Sequence, residues 1–75
     1  MMKHLRIAGM TGAYDAGIVR NSLEMIDDVD SAYVDYEKDS ATVSYSGNEP
    51  DDEILITAVK EAGYTAEVLS PKRKE

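Results

Sequence analysis

Residues 9–15, Gly9-Met10-Thr11-Gly12-Ala13-Tyr14-Asp15, hold most of the side chains whose types and spacing suit a binding site. Asp15 stands where a helix is expected to begin, and a carboxylate there has two uses. Its oxygens accept hydrogen bonds from orphan backbone N–H groups and complement the positive end of the helix dipole. They are also hard ligands for Ca(II) or Mg(II), but such ions take about six or more oxygens. Only Asp15, backbone carbonyls and a tyrosine lie nearby, so capping by Asp15 or Thr11 is the expected role. Met10 carries a thioether, a weak ligand when alone, and is expected in the core. His4 is the only histidine. With no second ligand spaced to help it, His4 reads as a titrating surface group. No cysteine occurs, which excludes disulfides, thiolate metal sites and thiol nucleophiles.

Two acidic groups resemble metal clusters at first sight: Asp27, Asp28 and Asp30, and Asp51, Asp52 and Glu53. The second opens a helix, where negative charge complements the dipole. The first closes one, at the unfavourable end, and only solubility explains it. The net charge is -7, and residues 71–75 carry three positive charges and one negative, leaving residues 1–70 at -9. So acidic a body repels phosphate backbones and excludes nucleic acid as the expected partner. The basic tail, residues 71–75, reads as a solvated terminus.

The elements that must position these residues follow from periodicity. Residues 2–8 alternate, with Leu5 and Ile7 on one face and His4, Arg6 and Ala8 on the other, as in a half-buried strand. After the loop, a helix is expected from Asp15 to Asp27, with Val19, Leu23 and Ile26 as its apolar stripe and Val29 extending it. Ala32, Val34 and Tyr36 form a second strand. A turn over Lys38-Asp39-Ser40 leads to a third, with Ala41, Val43 and Tyr45 inward. Pro50 opens a second helix buried through Leu55, Ala58, Val59 and Ala62 and stopped by Gly63. Tyr64 to Leu69 is the last strand. The order βαββαβ predicts an α+β, ferredoxin-like sandwich, a four-stranded antiparallel sheet with two helices on one face and a wet opposite face. It forms one domain over residues 1–70. At 43% hydrophobic and 31% charged, the composition is that of a soluble globular chain. No apolar run reaches the roughly 20 residues of a membrane span. The first residues enter a strand without a signal-peptide core, which predicts a cytoplasmic location.

Gly9-Met10-Thr11 after the first strand resembles the Gly-Met-Thr-Cys-x-x-Cys signature of heavy-metal-associated domains. That family includes copper chaperones, mercury-binding proteins, and amino-terminal domains of metal-transporting P-type ATPases and mercuric reductases. Asp28-Val29, Val34-Asp35-Tyr36-Glu37-Lys38, Ala41-Thr42-Val43 and Glu61-Ala62-Gly63-Tyr64-Thr65-Ala66-Glu67-Val68 extend the likeness over residues 2–69. The resemblance implies a non-enzymatic metallochaperone-like carrier of Cu(I), Hg(II), Zn(II) or Cd(II), held by two thiolates. In this chain those two positions are Gly12, which offers no side-chain ligand, and Asp15, a hard oxygen. No metal cofactor is therefore expected in this form, and the family's metal transport is denied to it. Two accounts are open. Either the thiols were removed, naturally or by design, or the loop was repurposed with Tyr14, Asp15 and Tyr64 as its polar groups. Stacking of Tyr14 on Tyr64 would close the pocket.

The resemblance also implies partners. The metal-loop face is where such domains dock, so Tyr14, Ile18, Tyr64 and Met10 are the candidate partner surface, for another heavy-metal-associated domain or a second copy. Ile18, Met25 and Ile54 fall off the expected buried stripes, and Ile18 and Met25 share a helix face. An acylphosphatase-like enzyme on this fold would need a phosphate-cradling loop and matched arginine after the first strand, and neither is present.

Overall fold

The computed structural model describes residues 1–69; the basic tail expected at 71–75 lies outside the described residues. The elements run β1 (Met2–Ala8), α1 (Ala13–Glu24), β2 (Ser31–Asp35), β3 (Ser40–Ser44), α2 (Asp52–Glu61) and β4 (Thr65–Leu69). The strands form one sheet in the order β2-β3-β1-β4, and every pairing is antiparallel. This is the expected ferredoxin-like arrangement. β1 sits inside the sheet, with Leu5 opposite Ala41 and Val68, and Ile7 opposite Ala66.

Side chains alternate across a strand, so Leu5 and Ile7 of β1 and Ala41 and Val43 of β3 point to one face. α1 covers that face with Val19 and Leu23, and α2 with Leu55 and Val59. Leu5, Ile7, Val19, Leu23, Val43, Leu55 and Val59 are all fully buried. Each is worth about 1.5–3 kcal/mol relative to exposure, which is why two short helices suffice to hold the layer. Ala58 and Ala62, expected in the buried stripe of α2, are only half-buried. The other sheet face carries exposed His4, Arg6 and Glu67, with Tyr33 67% and Met2 62% exposed.

Element ends differ from the periodicity in instructive ways. α1 starts two residues before Asp15 and stops at Glu24 rather than Asp27. Ile26 and Val29 still pack on the core from the connection that follows. The last helical residue, Glu24, adds a tertiary contact there. Its carboxylate accepts the Ala32 N–H at 3.0 Å and the Arg20 Nε–H at 3.4 Å. Those donors hold the Glu24 carboxyl below its ordinary value, the Ala32 N–H most. They also satisfy a donor on the edge strand β2.

The hairpin turn takes Tyr36 to Asp39 instead of residues 38–40. Asp35 accepts the N–H groups of Glu37 and Lys38, an Asx turn, and Asp39 adopts a φ of 54°. α2 starts at Asp52 after Asp51, leaving Pro50 buried outside the helix. Lys3 gives the acids there a role beyond dipole complementation: its Nζ meets Asp52 at 2.5 Å and Glu49 at 3.0 Å. The same ammonium donates to the Pro50 carbonyl at 2.7 Å.

Candidate functional site

The candidate loop lies where β1 hands over to α1, beside the start of β4. Gly9 has a φ of +105°, a conformation that L side chains rarely adopt. A Cβ built there would stand 3.2 Å from Cδ1 of Tyr64, so the tyrosine ring occupies the space that glycine leaves. Met10 then turns inward and is 8% exposed. Its core role is as expected, and it does not belong to an exposed partner surface. Gly12 is the N-cap of α1 in extended backbone, with φ -176°, and caps nothing with a side chain. Its carbonyl accepts the first helical N–H, from Ala16, at 3.2 Å.

Asp15 is therefore in the first turn of the helix and not its cap. Its carboxylate turns back across the loop. One oxygen accepts both the Thr11 N–H at 2.8 Å and the Thr11 hydroxyl at 2.9 Å. The other accepts the Tyr64 hydroxyl at 2.5 Å. Tyr64 arrives from 49 residues away, placed by Gly63 at the end of α2, whose φ of +104° reverses the chain. Three donors thus converge on one carboxylate and tie the loop, the first turn of α1 and the start of β4 together.

The electrostatics follow from that convergence. The Tyr64 hydroxyl, then the Thr11 N–H and hydroxyl, hold the Asp15 carboxyl below its ordinary value, outweighing partial desolvation. The same hydrogen bond pushes the Tyr64 phenol up to about 12, helped by desolvation and by the Asp15 charge. A proton on Tyr64 and a charge on Asp15 are one arrangement, each favouring the other.

Tyr14 does not close over this cluster. Tyr14 is 82% exposed and is not stacked away on Tyr64. Ile18, one turn along, is half-buried. His4 is on the open sheet face, its Nδ1 3.1 Å from the Thr42 hydroxyl, and plays no part in the loop. Among the described residues no group of three or more histidine, cysteine, aspartate or glutamate side chains is arranged to hold a metal ion. Thr11 is not the helix cap but a double donor to Asp15. Its spacing to Asp15 is that of neighbours on a helix, but the partnership of both with Tyr64 has no local signal.

With this geometry, the sequence profile described as the heavy-metal-associated domain matches residues 4–65. The chain belongs to the heavy-metal-associated domain family. Solved members agree in fold over nearly the whole chain. The N-terminal domain of PacS from Synechocystis PCC6803 is 31% identical at a TM-score of 0.81, covering 93% of this chain and 98% of its own. A copper binding domain from HMA7, a P-type ATPase, is 26% identical at 0.85, covering 92% and 93%. The CopZ metallochaperone is 25% identical at 0.82, covering 89% of this chain and all of its own. This heavy-metal-associated domain differs from a thiolate carrier in having no cysteine. Among its described residues no helix is long and apolar enough to cross a membrane.

Proposed function

We propose that this chain is a metallochaperone-like domain whose soft-metal site is lost at Gly12 and Asp15, leaving a docking module that carries no cargo. The observation supporting this is the fate of the Asp15 carboxylate. A soft ion such as Cu(I) prefers thiolates and gains little from one hard oxygen. Here that oxygen pair is already spent on Thr11 and Tyr64. Gly12 adds no side-chain donor. The residues present therefore do not fit a soft-metal cargo. A hard cation at Asp15 would have to displace three hydrogen-bond donors and recruit oxygens that the cluster does not offer.

The backbone remains compatible with the family's chemistry. Gly12 is extended, a conformation open to any residue, and a Cβ there meets nothing within 4 Å. A cysteine at 15 would stand in the first turn of α1, where the helix dipole favours thiolate. The test is anaerobic calorimetric titration of Cu(I), Zn(II) and Ca(II) into the chain and into a Gly12→Cys/Asp15→Cys variant. Tight Cu(I) or Zn(II) binding by the variant alone is the expected result. Micromolar or tighter binding by the unaltered chain overturns the reading of Asp15. Binding by neither leaves only the fold in common with metal carriers.

One observation favours a use for the loop face without metal. Tyr14 presents an exposed ring beside half-buried Ile18, and exposed aromatic residues anchor interfaces well. We assign this face to docking on another heavy-metal-associated domain, or on a second copy. Concentration-dependent sedimentation of the chain and of Tyr14→Ser distinguishes the two.

A further inference from the structure

Away from the loop, α1 and α2 leave a groove of about 580 Å³ between them. Ile54 and Ala58 of α2, with the following Ala62, line it from one helix, and Met25 and Ile26, just after α1, line it from the other. Two of the apolar residues that fell off the expected stripes, Met25 at 81% and Ile54 at 47% exposed, thus face the same space. The half-burial of Ala58 and Ala62 has the same cause, since they are the groove's small residues and not core.

The rim has a definite charge. Glu53, Thr57 and Glu61 recur every four residues and line the outer edge of α2. Neither glutamate takes part in an ion pair among the described residues. The cations nearest in sequence are engaged elsewhere or lie outside the groove lining. Lys3 is held by Glu49 and Asp52. Arg20 is paired with Glu24, on the side of α1 that reaches β2. Lys60 flanks Glu53, seven residues on along the same face of α2, but does not line the groove. Glu53 and Glu61 are about 12 Å apart along the axis, or roughly two helical turns.

We propose that this interhelical groove is a docking site for a cationic amphipathic helix, with apolar side chains seated between Met25 and Ile54 and lysine or arginine facing Glu53 and Glu61. Small lining residues such as Ala58 and Ala62 admit a helix closely, and amphipathic helices seat apolar anchors at i, i+3 or i+4, and i+7 in grooves of this kind. A second copy is the poorer occupant, because its own groove carries the same glutamates and its net charge is -7. Like charges would then meet across the interface. The inference stands on different residues from the metal-loop reading and survives its failure.

The probe is a synthetic 18-residue peptide with leucine at heptad positions a and d and lysine at e and g. Its controls are a scrambled peptide of the same composition and a glutamate-for-lysine version. Binding to the full chain is followed by calorimetry and by backbone amide shifts. Saturable one-to-one binding of the lysine peptide is expected, with shifts confined to the end of α1 and to α2. Glu53→Lys/Glu61→Lys should weaken it about tenfold or more and transfer preference to the glutamate peptide. Met25→Ser/Ile54→Ser should weaken it comparably with the charges untouched. Equal binding of the scrambled peptide overturns the proposal, as does indifference to either double substitution. So does concentration-dependent dimerisation abolished by Met25→Ser/Ile54→Ser, which would make a second copy the occupant.

Discussion

Replacing Asp15 with asparagine exchanges the charged acceptor of the Tyr64 hydroxyl for a neutral one of the same size. The Tyr64 phenol is pushed up to about 12, chiefly by its hydrogen bond to Asp15. The magnitude is large enough to read at one pH. At pH 11 an ordinary tyrosine with a pKa of about 10 is roughly nine-tenths ionised, whereas a phenol at about 12 is roughly one-tenth ionised. Asp15→Asn, which leaves only a neutral acceptor for the hydroxyl, should therefore raise the ionised fraction of Tyr64 clearly at that pH. Protein labelled with carbon-13 at tyrosine Cζ reports the ionisation, Tyr64→Phe identifies the resonance, and circular dichroism at the same pH verifies the fold. The sign follows from linkage. Tyr64 has a raised folded pKa, so its contribution is fully present below the unfolded value near 10 and is lost as pH rises through about 12. Asp15 has a depressed one, so its contribution is present above the ordinary 3.8 and is lost as pH falls through the folded value. The clamp is thus intact across the neutral range. A parent Tyr64 already mostly ionised at pH 11 would refute the geometry. A midpoint unmoved by Asp15→Asn would refute the cause assigned to it.

Gly9→Ala should cost about 1–3 kcal/mol in urea unfolding, since it forces a side chain into a φ of +105° and toward the Tyr64 ring; an unchanged midpoint would contradict the packing described. Gly17→Ala should stabilise by roughly 0.5–1 kcal/mol, because Gly17 is an exposed position inside α1 with nothing within 4 Å of a new Cβ. A lowered melting temperature would show a contact that this surface does not have. Leu23→Ala should destabilise by about 2–5 kcal/mol, as Leu23 is fully buried between α1 and the sheet. A loss below 1 kcal/mol in the same urea series would mean the site collapses around the missing atoms or was never fully packed.

Much of the fold was legible because its signals are local. Alternation in residues 2–8 and 41–45 requires strands with one buried face, and the spacing of Val19 and Leu23, or Leu55 and Val59, requires helices with one. Gly63 as the stop of α2 could be read in advance, since a left-handed residue after a helix favours glycine for steric reasons. The absence of thiol chemistry was equally decided by residue types alone. Only the tertiary structure decided what Asp15 does. A carboxylate in a first helical turn has local uses that sequence can list, but its pairing with Tyr64 depends on α2 and β4 returning the chain to the loop. The same is true of Glu24 on the Ala32 N–H and of Lys3 between Glu49 and Asp52, whose partners lie outside the range of any local periodicity. Ala58 and Met25 make the point from the other side: helical spacing places a residue on a face, but how closely the neighbouring helix packs determines whether that face becomes core or groove.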